Sequence, residues 1–327
     1  MKRAPILLLG LIFVFFWFLD STGSSLVPLM MLTSVAMGGV AVAAAARLSN
    51  AEWIAPLETP LLAQAPLLLL PSLCIHHHAG LYAWSDHPNG WLNPQFFGIR
   101  SAVVFLIALA LAMVFKGAVR TDSEKKKTWA VAYLLSFVVA LSLVAFDWVM
   151  SFDHPWISAM FGPLFMVEAF YAGLALAGIL CFILGRRNAD ETLNPLRGVA
   201  ALLFGFSIFW GGLFFAQYLT IWYGNLPEEV EYFSRRFDTP GGGPLFWGTL
   251  ILLFFIPFLT LLTNPPRRSP HAVAAASCSV FFGIFLERLF YLLPHIKFSP
   301  VLLPLGLLTA FGMVSFAAME GLRLKNA

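Results

Sequence analysis

The chain has 327 residues, of which 59% are hydrophobic and only 11% charged, with a formal charge of +3 and a mean hydropathy of +0.81. A soluble globular chain carries about 25% charged residues, so a water-facing globule is excluded and most of the surface must face lipid. The small net charge gives no general attraction for nucleic acid.

Apolar tracts long enough to cross about 30 Å of hydrocarbon recur along the whole chain. Ten candidate spans follow: 4–19, 26–46, 59–80, 95–115, 129–150, 157–184, 198–223, 244–263, 272–292 and 298–319. The fold class is an all-α polytopic membrane protein, since open strands would leave backbone groups unpaired in lipid. Barrel strands would be shorter and would alternate. Residues 1–327 read as a single transmembrane domain; the longest polar stretch, Asn225 to Gly243, is too short to hold a core.

Lys2 and Arg3 precede the first span, in the manner of a signal peptide. No A-x-A site follows, so the span is read as an uncleaved helix. Orientation comes from Lys and Arg. With the N-terminus inside, the inner segments hold Lys2, Arg3, Arg47, Lys116, Arg120, Lys125, Lys126, Lys127, Arg186, Arg187, Arg197, Arg267, Arg268, Arg323 and Lys325. The outer side holds only Arg100, Arg235, Arg236, Arg288 and Lys297. Both termini are therefore expected in the cytoplasm. The basic loop Lys116 to Lys127 reads as a topology determinant facing anionic lipid, not as a nucleic-acid patch.

In that topology the outer side gathers His76, His77, His78, His87, His154 and His295, with Asp86, Asp147, Asp153, Glu228, Glu229 and Glu231. Cys74, Cys181 and Cys278 stand alone in apolar tracts and read as buried small hydrophobes. Pro66, Pro71, Pro163 and Pro257 fall within spans, where proline usually kinks a helix. Ala169, Gly173 and Ala177 make a small-residue face suited to close helix packing.

Glu168 is the clearest intramembrane charge. A carboxylate there marks a proton or substrate path, or is a protonated group bonding a neighbouring helix. Asp147 ends a helical stripe with Ser136, Ala140 and Val144 and points into the bundle on that reading, and Asp153 reads as a helix cap or a loop charge. Arg100 is a partner for either, or an interfacial cation. His76, His77 and His78 diverge around one helix and cannot share a metal by themselves, so no metal site is expected. His78 is the candidate for a quinone contact. Gln217 lies with Ser207, Trp210 and Phe214 and needs a partner in the bundle. Glu287 and Arg288 are adjacent and pair with other helices. The chain has no CxxCH, no cysteine framework for a cluster and no nucleotide loop.

The segments Phe146-Asp147-Trp148-Val149-Met150-Ser151-Phe152-Asp153-His154-Pro155-Trp156, Phe161-Gly162 and Gln217-Tyr218-Leu219-Thr220-Ile221-Trp222-Tyr223-Gly224-Asn225-Leu226-Pro227-Glu228-Glu229 carry a resemblance. So do Leu81-Tyr82 and Leu92-Asn93-Pro94-Gln95-Phe96-Phe97-Gly98-Ile99-Arg100. Together they resemble the F subunit of alternative complex III, one of the NrfD-like, polysulfide-reductase-type membrane proteins. His154-Pro155-Trp156 departs from the family order Pro-His-Trp, which moves the imidazole by one position. The resemblance implies two four-helix bundles plus two peripheral helices in a bacterial cytoplasmic (inner) membrane. It implies no redox cofactor in this chain, and a quinone (menaquinone type included) at or near it. The implied partners are a second NrfD-like subunit, an iron–sulfur subunit and a multihaem cytochrome c, with lipid around them.

The expected function is thus a cofactor-free subunit of a quinol-oxidising complex. Asp147, Asp153, His154 and Glu168 are the proton-transfer candidates, and Arg100, Gln217 and Glu287 the supporting polar groups. A stand-alone secondary transporter and a purely structural anchor are the alternatives.

Overall fold

A computed structural model describes residues 4–186 and 189–325. In chain order the principal helices are α1 (Ala4–Leu19), α2 (Leu26–Leu48), α3 in two halves (Glu52–Leu62 and Ala65–Cys74), α4 (Pro94–Arg120), α5 (Lys126–Asp153) and α6 (Phe161–Gly185). They continue as α7 (Leu193–Gly224), α8 (Pro227–Asp238), α9 (Gly242–Leu261), α10 (Pro270–Leu292) and α11 (Leu302–Leu324). No strand occurs among the described residues. Eight of these helices are long and apolar enough to cross a membrane, and the two halves of α3, bent by 48°, make a ninth if counted as one. At 16 residues α1 falls short of that length. Every expected span is helical, but the ten are not ten equal crossings. Lys2, Arg3 and Arg187 of the charge bias lie outside the described residues.

The adjacencies form two rings of four. One joins α2, α3, α4 and α5; the other joins α6, α7, α9 and α10. They meet where α2 packs on α6, and α1 and α11 pair beside α2 and α3. The junction is tight because both helices offer glycine. A Cβ on Gly38 would stand 1.7 Å from the Ala169 carbonyl oxygen, and one on Gly173 would stand 2.3 Å from the Gly38 carbonyl carbon. The small-residue face of α6 is therefore a helix contact, and α2 is buried along its whole apolar window.

The chain departs from the sequence reading in several places. The α3 break falls at Ala63–Gln64, just before Pro66, because proline restricts the residue ahead of it and supplies no backbone donor. Pro163 lies in the first turn of α6, where the missing donor has no partner to lose, and produces no break. Pro257 follows a π-helical turn, Ile251–Phe255, within α9. Two of that turn's carbonyls are taken up by neighbours: Tyr171 Oη donates to Leu253 O and Ser279 Oγ to Leu252 O. Lys116 and Arg120 sit on α4 and Lys126 and Lys127 on α5, so the basic loop shrinks to residues 121–125. Cys278 is exposed on α10, unlike buried Cys74 and Cys181.

The polar stretch after α7 is not a simple loop. Glu228 and Glu229 occupy the first turn of α8, and Arg235 and Arg236 its last, as the helix dipole favours. Tyr232 and Arg236 are the buried residues of this helix.

Candidate functional site

Three buried ion clusters gather at the end of the bundle that carries Trp156. The first links α4 and α5. Arg100 Nε donates to Asp147 Oδ2 at 2.6 Å, and Arg100 Nη1 to the Trp91 carbonyl at 2.7 Å. The guanidinium also lies 4.4 Å over the Trp91 ring and 4.9 Å over Phe96. Asp147 reaches this position from a π-helical turn, Val144–Val149, followed by a 3-10 turn, Met150–Asp153. Tyr82 Oη donates to the Trp148 carbonyl at 2.9 Å, and Ser151 Oγ to that of Asp147. Side chains thus satisfy carbonyls that the irregular turns release.

The second cluster is built around Asp153. Arg236 Nη2 donates to its Oδ2 at 2.6 Å, Arg236 Nη1 approaches Oδ1 at 3.3 Å, and His295 Nε2 stands 3.0 Å from Oδ1. Arg236 further donates to the carbonyls of Tyr232 and Tyr291, both at 2.9 Å, and lies 3.8 Å over the Tyr232 ring. Burial opposes the Arg236 charge, but Tyr232 and Asp153 outweigh it and hold the guanidinium above its usual range. Arg236 therefore ties α8 to α5 and α10. Trp156 stacks on Tyr232 at 3.9 Å and donates to Glu229 Oε2 at 2.9 Å.

The third cluster lies deeper, between α6 and α10. Arg288 Nη2 donates to Glu168 Oε2 at 2.5 Å, and both side chains are wholly buried. Glu287 is buried beside them and interacts with Glu168. Tyr291 Oη donates to Glu287 Oε1 at 2.9 Å. Glu168 Oε1 and Glu287 Oε2 have no donor among the described residues. Two carboxyl groups thus face one guanidinium. Ionising both would leave an uncompensated buried charge, whereas a proton held between the acids supplies the missing donor.

The expected residues sort clearly. Arg100 meets Asp147 and not Asp153, which has its own partners and is neither a cap nor a loop charge. Glu168 and Glu287 come together. Gln217 is buried, and its Oε1 has no partner among the described residues. His154 is exposed and makes none of these ion pairs; it borders an open hollow of about 360 Å³ together with Asp153, Glu228, Glu229, Glu231 and Arg235. The imidazole that reaches Asp153 belongs to His295.

His78 lies apart, in a 3-10 turn beyond α3. It contacts Ser25 Oγ through Nε2 at 3.0 Å and packs 4.4 Å from the Trp17 ring. Burial pulls its pKa down to about 4, against the favourable charge of Asp20. His77 packs on Phe18, and the His76 side chain lies outside the described residues. No group of three His, Cys, Asp or Glu that could hold a metal occurs among the described residues.

Arg236, Tyr232, Tyr291 and His295 are the members that sequence reasoning missed. Their signal was available in part: Tyr232 and Arg236 are one helical turn apart, between an acidic start and a basic end. Nothing local joins that turn to Asp153.

No curated protein matches the chain. The pattern of the family described as Polysulphide reductase, NrfD matches residues 98–299, more than half of the chain and the three ion clusters described above apart from their Tyr82, Trp91 and Phe96 contacts. The chain belongs to the NrfD family of membrane proteins.

Proposed function

We propose that this chain is a cofactor-free membrane subunit of a quinol-oxidising complex of the alternative complex III type, and that it carries protons for that complex. Glu168 with Glu287, balanced by Arg288, is the observation that carries the reading. An acid pair closed to solvent and balanced by one cation holds a single proton with no net buried charge; losing it leaves one negative charge, so the proton is passed on only as another arrives.

Asp147 and Asp153 continue the polar series toward the end of the bundle that the Lys and Arg bias assigns to the outer face. Quinol oxidation releases protons, and release on that side suits the open hollow beside Asp153. Arg100 and Arg236 hold these acids in place. His295 replaces His154 as the imidazole of the series. The environment of His78, bonded to Ser25 and packed on Trp17, supports a structural role over a quinone contact. Iron–sulfur and cytochrome partners, and a bacterial cytoplasmic membrane, belong to the same reading.

Glu168→Gln keeps shape and hydrogen bonding but removes the titrating group. In an assembled complex it should lower proton-coupled turnover. Unchanged turnover in an intact complex would remove Glu168 from the path.

The bent α3, with buried Gln64 at its break, is the feature that favours a stand-alone transporter. Gentle extraction of the tagged chain separates the two readings. Haem- and cluster-bearing partners support the complex; a colourless single protein supports the transporter.

A further inference from the structure

A small cavity lies between α6, α7, α8 and α10. Leu164, Phe214 and Phe290 form its apolar walls, and Gln217, Tyr232 and Tyr291 border it with polar groups. Gln217 Oε1 and Tyr232 Oη are both buried and lack a partner among the described residues. An unpaired buried polar group is destabilising by about 1–3 kcal/mol, so two beside one cavity call for a shared partner. The space open to a water's centre is about 10 Å³, which is room for one molecule.

We infer that this cavity binds a single ordered water, held by Gln217 Oε1, Tyr232 Oη and Tyr291 Oη. The carboxamide oxygen accepts one of its hydrogens. The Tyr232 hydroxyl donates or accepts as its rotor allows. Tyr291 already donates to Glu287 and has lone pairs left to accept. The three partners match what buried waters generally require. An ion fits poorly, because burial keeps the Tyr232 phenol neutral by raising its pKa and no carboxylate borders the cavity.

The water has a consequence for the acid pair, and this step rests on the proton reading of Glu168. Tyr232 borders both the cavity and the open hollow beside Asp153. The route out of the membrane is then Glu287, Tyr291, water, Tyr232. After the Tyr291 hydroxyl turns, its proton passes to the water as its oxygen receives the proton of the Glu287 acid. Each transfer breaks one O–H bond and makes one; Tyr232, on receiving the water's proton, gives its own to the solvent of the hollow, so only the proton moves on.

X-ray radiolysis of the purified complex generates hydroxyl radicals from bound water and tags adjacent side chains. Tyr232 and Tyr291 should be tagged several times faster than Tyr133, whose hydroxyl is spent on the Met37 carbonyl. Gln217→Leu should bring Tyr232 down to the Tyr133 rate. Equal rates in the unsubstituted complex, or no effect of Gln217→Leu, overturn the water site. Separately, Gln217→Leu should slow proton release by about tenfold or more. Normal release despite lost tagging overturns the route and leaves a structural water. Because tagging does not depend on turnover, a failed Glu168→Gln test leaves the water site to be judged by itself.

Discussion

Glu168 and Arg288 meet across the contact of α6 with α10, with no exposure of either side chain. Neither helix could carry its charge into lipid alone. The pair is therefore a condition for the second ring to close, as well as a candidate in proton transfer.

Removing one partner should consequently be worse than removing both. Arg288→Leu leaves Glu168 and Glu287 without a cation, and a broken buried pair is destabilising by about 3–5 kcal/mol. The double variant Arg288→Leu with Glu168→Leu should recover much of that loss. Thermal unfolding of the purified protein reads both. Equal losses for the single and double variants would show that the ion pair is not what stabilises the contact.

Arg236 fixes α8 through Asp153 and the carbonyls of Tyr232 and Tyr291. Lysine offers no planar fork for these acceptors. Arg236→Lys should therefore loosen α8 while the spans remain intact. Limited proteolysis should cut between residues 225 and 243 faster in the variant, with unchanged helix content. Unaltered cleavage would mean that the Trp156–Tyr232 stack alone holds α8.

Much of this was legible in the sequence, and the limit has a physical cause. Apolar length located the spans, and the spacing of Ala169, Gly173 and Ala177 located the α2–α6 junction from one side. Intramembrane carboxylates identified themselves because a lone buried charge is so unfavourable. Their partners did not, since Arg236 and His295 lie far from Asp153 along the chain. His154 drew attention by adjacency, yet adjacent residues in an irregular turn point in different directions. The π turns at Val144–Val149 and Ile251–Phe255 leave no mark in hydrophobic periodicity.

His78 predicts a pH dependence of stability. Its ring is neutral when folded, with a pKa of about 4 against an ordinary 6.5. Between those values the unfolded chain binds more protons, so stability must fall as pH falls through that window. The full shift corresponds to about 3 kcal/mol. Above pH 6.5 the group adds no slope. Asp20 is also shifted down, where hydrogen bonds from Thr22 and Ser25 outweigh the opposing effect of burial, so its loss comes only at lower pH. Melting temperatures between pH 4 and 7 should drop less steeply in His78→Gln. An identical slope would place the acid sensitivity elsewhere.

The glycine junction gives the sharpest contrast. A methyl group at position 173 would run into the Gly38 backbone, which belongs to a fully buried helix and cannot swing away. Gly173→Ala must separate α2 from α6, and with them the two rings. Overpacking of this kind is destabilising by about 1–3 kcal/mol or more, and backbone contact puts this site at the upper end. Gly205 is the control: it is exposed on α7, and a Cβ there meets nothing within 4 Å. Alanine is the better helix former by about 1 kcal/mol, so Gly205→Ala should be neutral or mildly stabilising. Unfolding midpoints in detergent compare the two directly. If both variants behave alike, close approach at Gly38 and Gly173 is not what joins the rings.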